Sequence, residues 1–187
     1  MTEKEIAERV KASMSEKRFL HTLGCVEMAE KLARLYGADV ELSRRAAYLH
    51  DITKEMSYSE QLKLVDRFGI ILSRTQRSEK IIHAFSGAVL AKEEFGECDE
   101  VCDAIRWHTT ARAGMTLLEK VIWVSDLVEE GRTFPGVEKL RSLAFENLSD
   151  ALILGFDTTL RRLSELGSEI DTNMIEAREF ELSSRKE

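Results

Sequence analysis

The chain has 187 residues, of which 43% are hydrophobic and 33% are charged, and its formal net charge is −7. A chain of this size and balance is expected to fold as one compact domain, here residues 1–187, without disulfide staples. Because binding to phosphate backbones or anionic lipids requires a basic surface, the negative charge argues against nucleic acid and membranes as partners.

Hydrophobic residues recur with helical periodicity nearly throughout, and the chain contains a single proline. The sequence therefore predicts an all-α fold whose core extends over about residues 15–175. A first helix is expected at about residues 3–13. Ser15 can cap a long second helix that ends near Gly37, and Asp39 can cap a third helix that runs to about Asp51.

Three capping boxes mark further helix starts, since a serine or threonine is followed three residues later by glutamate or glutamine. These helices are expected to end near residues 69, 96 and 131, and a shorter helix is expected at about residues 99–107. After residues 131–136 the helical pattern continues to about Phe180, and residues 182–187 form a polar tail that we expect to be frayed. The boxes are Ser57 with Glu60, Ser73 with Gln76, and Thr116 with Glu119.

Two features of the sequence predict a cytoplasmic protein. The first 19 residues are charged throughout and lack the apolar segment of a signal peptide, and no apolar run approaches the roughly 20 residues that span a bilayer. The three cysteines, Cys25, Cys98 and Cys102, are an odd number, which is typical of free thiols in a reducing compartment. Cys98 and Cys102 have no matching second pair, so a zinc-thiolate site is not expected.

Each of the four histidines lies on an apolar or small-residue face of a predicted helix; they are His21, His50, His83 and His108. One buried imidazole is ordinary in a protein core. Four buried imidazoles, each with two ring nitrogens that need partners, multiply the cost of desolvation. Convergence on one site removes this difficulty, because each ring can then give a lone pair to a metal ion. We therefore interpret the histidines as a metal-binding set.

Two aspartates extend this set. Asp51 directly follows His50 within an apolar run, and a buried carboxylate needs a partner charge. Asp126 lies in an apolar helix, although the spacing of the polar residues around it is equally compatible with a solvated helix face. Nitrogen and oxygen donors without sulfur suit iron, manganese, zinc or magnesium. Since a carboxylate has two oxygens, Asp51 can also bridge two ions.

The order of these residues on consecutive helices resembles that of the HD superfamily of metal-dependent phosphohydrolases. The segment His50-Asp51-Ile52-Thr53-Lys54 is similar to the HD-x-x-K element of that superfamily. A finer resemblance, over about residues 15–175, is to the YqeK family of symmetrical diadenosine-tetraphosphate hydrolases. It is carried by Arg18-x-x-His21, by His83-Ala84-x-x-Gly87-Ala88, by Ala104-Ile105-x-x-His108-Thr109-Thr110, and by residues 115–141, which include Asp126 and Glu129-x-Gly131-Arg132. Ser125 and Glu130 depart from this pattern, where alanine and proline are expected.

The resemblance implies a bis(5'-nucleosyl)-tetraphosphatase (symmetrical), which cleaves diadenosine tetraphosphate into two ADP by attack of metal-activated water on a central phosphate. It implies one or two divalent ions, with iron favoured and manganese or magnesium as alternatives. The primary metal would be bound by His21, His50, Asp51 and Asp126, and Asp51 would also be catalytic. For His83 and His108 two roles stay open, either binding a second ion that Asp51 bridges or donating hydrogen bonds to phosphate.

The resemblance further places Lys54 near the metal as a catalytic and phosphate-binding residue. Thr109 and Arg132 are expected to contact the substrate, whereas Arg18 is not assigned to the site. The expected partner is a small purine dinucleotide, and the sequence is compatible with a homo-oligomer. Three alternatives remain at this point: another HD nucleotidase or phosphodiesterase, an HD-type di-iron oxygenase, and a non-catalytic nucleotide sensor.

Overall fold

The computed structural model of the protein describes residues 1–184, and the described chain is entirely helical apart from turns and loops. The predicted all-α fold class is confirmed. The helices are α1 (Glu3–Ser13), α2 (Glu16–Tyr36), α3 (Val40–Leu49), α4 (Tyr58–Arg67), α5 (Ile82–Phe95), α6 (Asp99–Trp107), α7 (Leu117–Val128), α8 (Val137–Glu146), α9 (Leu148–Glu165) and α10 (Thr172–Ser183).

Most helix boundaries follow from local capping chemistry. The Ser15 hydroxyl accepts a hydrogen bond from the Arg18 amide at the start of α2, and Gly37 ends this helix in the left-handed region at φ 80°. Asp39 caps α3 in the same way as Ser15 caps α2. The predicted capping box of Thr116 is formed at the start of α7. Side chains close to the helix ends therefore set where the chain turns.

The prediction that a helix begins just after Ser73 is wrong. Residues 74–81 form turns, and α5 begins only at Ile82. The local box itself is present, since the Ser73 amide donates to the Gln76 side chain and the Gln76 amide donates to the Ser73 hydroxyl. However, the hydroxyls of Ser73 and Thr75 both donate to Asp171, the residue that caps α10. This tertiary contact fixes the segment against the C-terminal part of the chain.

Two other helix ends differ from the prediction. Helix α3 stops at Leu49, so that His50 is its C-cap and Asp51 lies in the turns that follow. Helix α10 continues to Ser183, so the first two residues of the predicted polar tail are helical. Half-buried Leu182 is among them. Ser184 is the C-cap of this helix, and residues 185–187 of the tail lie outside the described residues.

The helices that carry the predicted site residues pack directly against one another. Helix α2 lies against α3 and α7, and α6 contacts α3, α5 and α7. Fully buried aliphatic side chains, among them Leu32, Leu49, Ile105 and Ile122, fill the space between these helices. Each such side chain stabilises the fold by about 1.5–3 kcal/mol relative to an exposed position. The core therefore fixes the relative positions of the helix ends that carry the polar residues.

No helix within residues 1–184 combines the length and the apolar character needed to cross a membrane. The expectation that residues 1–187 form one domain stays a prediction.

Candidate metal centre

The four histidines and two aspartates of the predicted set meet in one cluster. His21 lies in the second turn of α2, His83 in the first turn of α5 and Asp126 in the last turn of α7. His50 and His108 are the C-caps of α3 and α6. Adjacent residues inside a helix point about 100° apart, which would separate the side chains of His50 and Asp51. After Leu49 the backbone continues in turns with hydrogen bonds from Ile52 to Leu49 and from Lys54 to Asp51, and both side chains lie in the cluster.

One side of the cluster is formed around the Asp51 Oδ2 atom. His21 Nε2 lies 3.1 Å from Asp126 Oδ1 and 3.9 Å from Asp51 Oδ2. His50 Nε2 lies 3.6 Å from the same Asp51 oxygen. Nitrogen and oxygen ligands of a single ion, with bonds of about 2.1 Å, are separated by about 3–3.5 Å. These four side chains are thus spaced to share one metal ion after small movements.

The other side of the cluster is formed around the second oxygen of the same carboxylate. Asp51 Oδ1 lies 3.2 Å from His83 Nε2 and 3.8 Å from His108 Nε2. The two histidine nitrogens are 3.2 Å apart. Asp51 therefore presents one oxygen to each of two donor groups, which is the arrangement of a carboxylate that bridges two ions.

Backbone carbonyls orient two of the imidazoles for metal binding. Nδ1 of His50 lies 2.7 Å from the Ala47 carbonyl, and Nδ1 of His108 lies 2.6 Å from the Ile105 carbonyl. We assign the ring proton to Nδ1 in both residues, because a carbonyl can only accept. Their Nε2 atoms then present lone pairs to the cluster. His50 Nε2 is fully buried and has no hydrogen-bond partner within the described chain, so this atom fits a metal ligand.

Burial and neighbouring charges shift the pKa values of these groups. Burial lowers the pKa of His108 to about 3 and also lowers that of His83, so both rings are neutral near pH 7 and can give lone pairs. Burial alone would raise the pKa of Asp51, but the adjacent histidines hold it well below the usual range. For Asp126, the hydrogen bond from His21 and the charge of Arg132 likewise outweigh burial and lower the pKa. Both carboxylates are therefore ionised.

Two arginines contact the aspartates of the ligand set. Arg18 Nη1 donates to Asp51 Oδ2 at 2.8 Å, although the sequence had not assigned this arginine to the site. Arg132 donates through Nε to the Asp126 carbonyl at 2.8 Å and through Nη2 to the Asp126 carboxylate. Its guanidinium is thus bidentate to a candidate ligand in this structure, and its predicted contact with substrate stays a prediction.

Lys54 and Thr109 lie at the edge of the second donor group. Lys54 Nζ is 3.0 Å from His83 Nδ1 and 3.1 Å from His83 Nε2, and burial lowers the pKa of this lysine. The Thr109 hydroxyl is 3.2 Å from His108 Nε2. The structure therefore brings every residue that the sequence placed in the site into one neighbourhood.

Sequence reasoning missed two further residues in contact with His21. The Cys25 sulfur lies 3.5 Å from His21 Nε2, and burial raises the pKa of this thiol, so Cys25 contacts His21 as a neutral thiol. Cys25 follows His21 by four residues on α2, and this spacing could have predicted their contact. Glu129 Oε1 lies 3.0 Å from His21 Nδ1, and only its place in the Glu129-x-Gly131-Arg132 pattern indicated it.

Comparison with known proteins bears on this geometry. The family model of the HD domain matches residues 18–131, a span that contains the complete donor set from His21 to Asp126. The chain belongs to the HD domain family. Members of this family bind divalent metals, and the clustered donors of this protein are able to hold such ions.

Relatives within the HD family define a narrower group. The symmetrical bis(5'-nucleosyl)-tetraphosphatase of Bacillus subtilis is 39% identical over 161 residues, which are 86% of this chain and 87% of the relative. The enzyme of the same name from Staphylococcus aureus is 36% identical over 136 residues, 72% of this chain and 70% of that one. The chain belongs to the family of these enzymes, so the resemblance read from the ordered histidines and aspartates is confirmed.

A solved HD structure supports the fold assignment. The crystal structure of a predicted HD superfamily hydrolase involved in NAD metabolism from Clostridium acetobutylicum superimposes with a TM-score of 0.94 at 34% sequence identity. The match covers 98% of each chain. The helices of this HD protein thus follow one another in the same arrangement along nearly the whole chain.

Proposed function

We propose that this protein hydrolyses diadenosine tetraphosphate symmetrically into two ADP at the cluster around Asp51. The observation that carries the proposal is the placement of the two Asp51 oxygens, each facing a separate group of histidine donors, in a chain related to symmetrical tetraphosphatases. One oxygen faces His21 and His50, and the other faces His83 and His108.

The donor set supports two divalent ions with Asp51 as their bridge. His21, His50 and Asp126 would hold one ion, and His83 and His108 would hold the other. When bound, such ions lower the pKa of a coordinated water and withdraw charge from phosphoryl oxygens. Nitrogen and oxygen donors suit iron, which we propose as the preferred metal, and they also accommodate manganese or magnesium.

Cationic side chains at the cluster support binding of a polyphosphate. Although the chain as a whole is acidic, Arg18, Lys54 and Arg132 lie within hydrogen-bond distance of the candidate ligands. Arg18 and Arg132 keep about a third of their side-chain surface exposed, so both can reach a phosphate at the mouth of the site. Guanidinium groups match phosphate oxygens in geometry and charge.

A cavity beside the cluster has room for a nucleoside. Its volume is about 430 Å³, within the range of small-molecule sites. Thr109 lines the cavity and also contacts His108, so the cavity adjoins the cluster. Ile81, Leu163 and Met174 offer an apolar wall for a purine. The other lining residues bear mainly hydroxyl and charged groups suited to a ribose: Thr75, Ser78, Glu79, Lys80, Thr110, Thr159, Ser168, Glu169 and Asp171.

A larger cavity of about 820 Å³ lies between α1 and the end of α5 and is a poor candidate for this substrate. It is lined by four glutamates, Glu5, Glu8, Glu93 and Glu94, and it contains none of the candidate metal ligands. Its negative charge would repel a polyphosphate.

The proposed reaction consumes one water for each dinucleotide. The water oxygen forms a bond to one of the two central phosphorus atoms, and the bond from that phosphorus to the central bridging oxygen breaks. The bridging oxygen leaves with the second half of the substrate, both protons of the water pass to solvent as the new terminal phosphates ionise, and both halves are ADP. Lys54, Arg18 and Arg132 would stabilise the negative charge that accumulates on the phosphoryl oxygens.

Product identification tests this function directly. Purified protein loaded with Fe²⁺ under anaerobic conditions should convert diadenosine tetraphosphate into ADP alone, as measured by chromatography. Formation of AMP with ATP would contradict symmetric cleavage. A product that requires oxygen would favour an oxygenase, and binding without turnover would favour a nucleotide sensor.

Replacing Lys54 by alanine should slow turnover on the order of 10²-fold while metal content is unchanged, because the ammonium contacts a candidate ligand without being one. Steady-state kinetics together with elemental analysis measure both quantities. Lys63→Ala, which removes an exposed lysine from α4, is the matched control and should behave as the unmodified protein. If Lys54→Ala turned over substrate as fast as this control, Lys54 would not belong to the site.

We propose a cytoplasmic enzyme whose partner is a small purine dinucleotide and which has no nucleic-acid or membrane partner.

A further inference from the structure

Glu129 is a buried carboxylate whose two oxygens face two different donors. It is the C-cap of α7, and it is only 3% exposed. Its Oε1 atom lies 3.0 Å from His21 Nδ1, and its Oε2 atom accepts a hydrogen bond of 2.5 Å from the Gly131 amide. Because a carboxylate oxygen accepts hydrogen bonds, the ring proton of His21 must be on Nδ1 for this contact to form.

Two glycines make the space that this carboxylate occupies. A Cβ atom at Gly24, one turn after His21 on α2, would overlap Glu129 Oε2. A Cβ atom at Gly131 would lie 3.0 Å from each of the carboxylate oxygens. Glycine inside a helix destabilises it by about 0.5–1 kcal/mol relative to alanine. The presence of Gly24 within α2 is therefore explained by the close approach of Glu129.

The arrangement differs from an ordinary buried ion pair. The Arg132 guanidinium approaches Glu129 only to 3.8 Å and pairs instead with Asp126. Among the described residues, the shortest side-chain contact recorded for Glu129 is the one to His21. The carboxylate thus faces an imidazole whose other nitrogen lies 3.1 Å from Asp126.

We propose that Glu129 is a positioning residue of the metal centre, which fixes the tautomer and orientation of His21 so that its Nε2 lone pair faces the ion. A carboxylate that accepts the far proton of a ligating histidine also makes that histidine a stronger donor. The role extends the proposed function, since it assigns a function to a residue beyond the ligand set. Metal affinity tests it without reference to any substrate.

A glutamine cannot replace this carboxylate, although it has the same shape. Both His21 Nδ1–H and the Gly131 amide are donors, so position 129 must supply two acceptors. The amide of glutamine has one acceptor oxygen, and its NH₂ group would face one of the two donors. Glu129→Gln should therefore disturb His21 even though the side chain fills the same volume.

Affinity for Mn²⁺, measured by competition with a chromophoric chelator, should fall 10- to 100-fold in Glu129→Gln and Glu129→Ala. Glu130→Gln removes the same charge from the neighbouring exposed position and should leave affinity unchanged. Nitrogen NMR of the histidines in Zn²⁺-loaded protein should show His21 with its proton on Nδ1, and this signal should shift or broaden in Glu129→Gln.

A second perturbation comes from α2. Gly24→Ala should also lower Mn²⁺ affinity, because its methyl group displaces the carboxylate, and it should add little in a Glu129→Ala background where the space is free. The inference would be overturned if Glu129→Gln bound Mn²⁺ with the affinity of the unmodified protein and showed the same His21 signal. If the unmodified protein binds metal but does not cleave diadenosine tetraphosphate, the proposed function fails while the role of Glu129 is still decided by these measurements.

Discussion

Asp51→Asn should reduce kcat/KM for diadenosine tetraphosphate by on the order of 10³-fold or more, equivalent to about 4 kcal/mol of transition-state stabilisation. The substitution keeps the side-chain shape but leaves only one acceptor oxygen, whereas Asp51 presents an oxygen to each donor group. It also removes the negative charge that faces four imidazoles. Elemental analysis should show the loss of bound metal from at least one of the two positions, together with the loss of turnover.

Asp99→Asn is the matched control for this experiment. Asp99 is 90% exposed on α6 and pairs with Lys92 at the surface, so its replacement should leave turnover and metal content unchanged. Circular dichroism of Asp51→Asn should retain the helical signal, because the hydrophobic core between the helices is untouched. Full turnover by a metal-free Asp51→Asn protein would refute the proposed site.

Removal of metal should abolish activity, and the return of divalent ions should restore it. The clustered side chains can bind and orient ions, and burial lowers the pKa of His83 and His108, so these two rings are neutral near pH 7 and cannot supply the positive charge of an ion. After dialysis against a chelator and then against chelator-free buffer, activity should rise with added Fe²⁺ until two ions are bound per chain. Mn²⁺ and Mg²⁺ should restore less.

The design must separate metal on the protein from metal on the substrate, since polyphosphates also bind cations. Adding Mg²⁺ to the substrate alone, before mixing it with stripped protein, supplies this control. Helical content should be unchanged by stripping. Undiminished turnover by protein shown to contain no metal would contradict the proposal, and saturation at one ion per chain would remove His83 and His108 from the metal ligands.

Much of the fold was predictable because its signals are local. A capping serine, threonine or aspartate lies beside the helix it begins, as Thr116 does for α7 and Asp39 for α3. The histidines were recognisable because apolar neighbours at helical spacing indicate burial. Their order along the chain then matched that of the HD family. None of these inferences required knowledge of which helices touch.

The errors arose where tertiary contacts overruled local patterns. Ser73 and Gln76 form their box, yet the bonds to Asp171 hold the following residues in turns. The contact between Arg18 and Asp51 joins residues that are 33 positions apart, so no local pattern predicts it. Glu129 and His21 are 108 residues apart, so no pattern within one helix could connect them.

By itself the sequence determined that the chain is helical, where most helices begin, and that the four histidines lie on apolar helix faces, because capping and periodicity act over one or two turns. Only the tertiary structure decided that Asp51 offers one oxygen to each of two histidine groups and that Glu129 accepts the proton of His21. Those relations depend on how helices α2, α3, α5, α6 and α7 cross, and crossing is set by the packing of core side chains over the whole molecule.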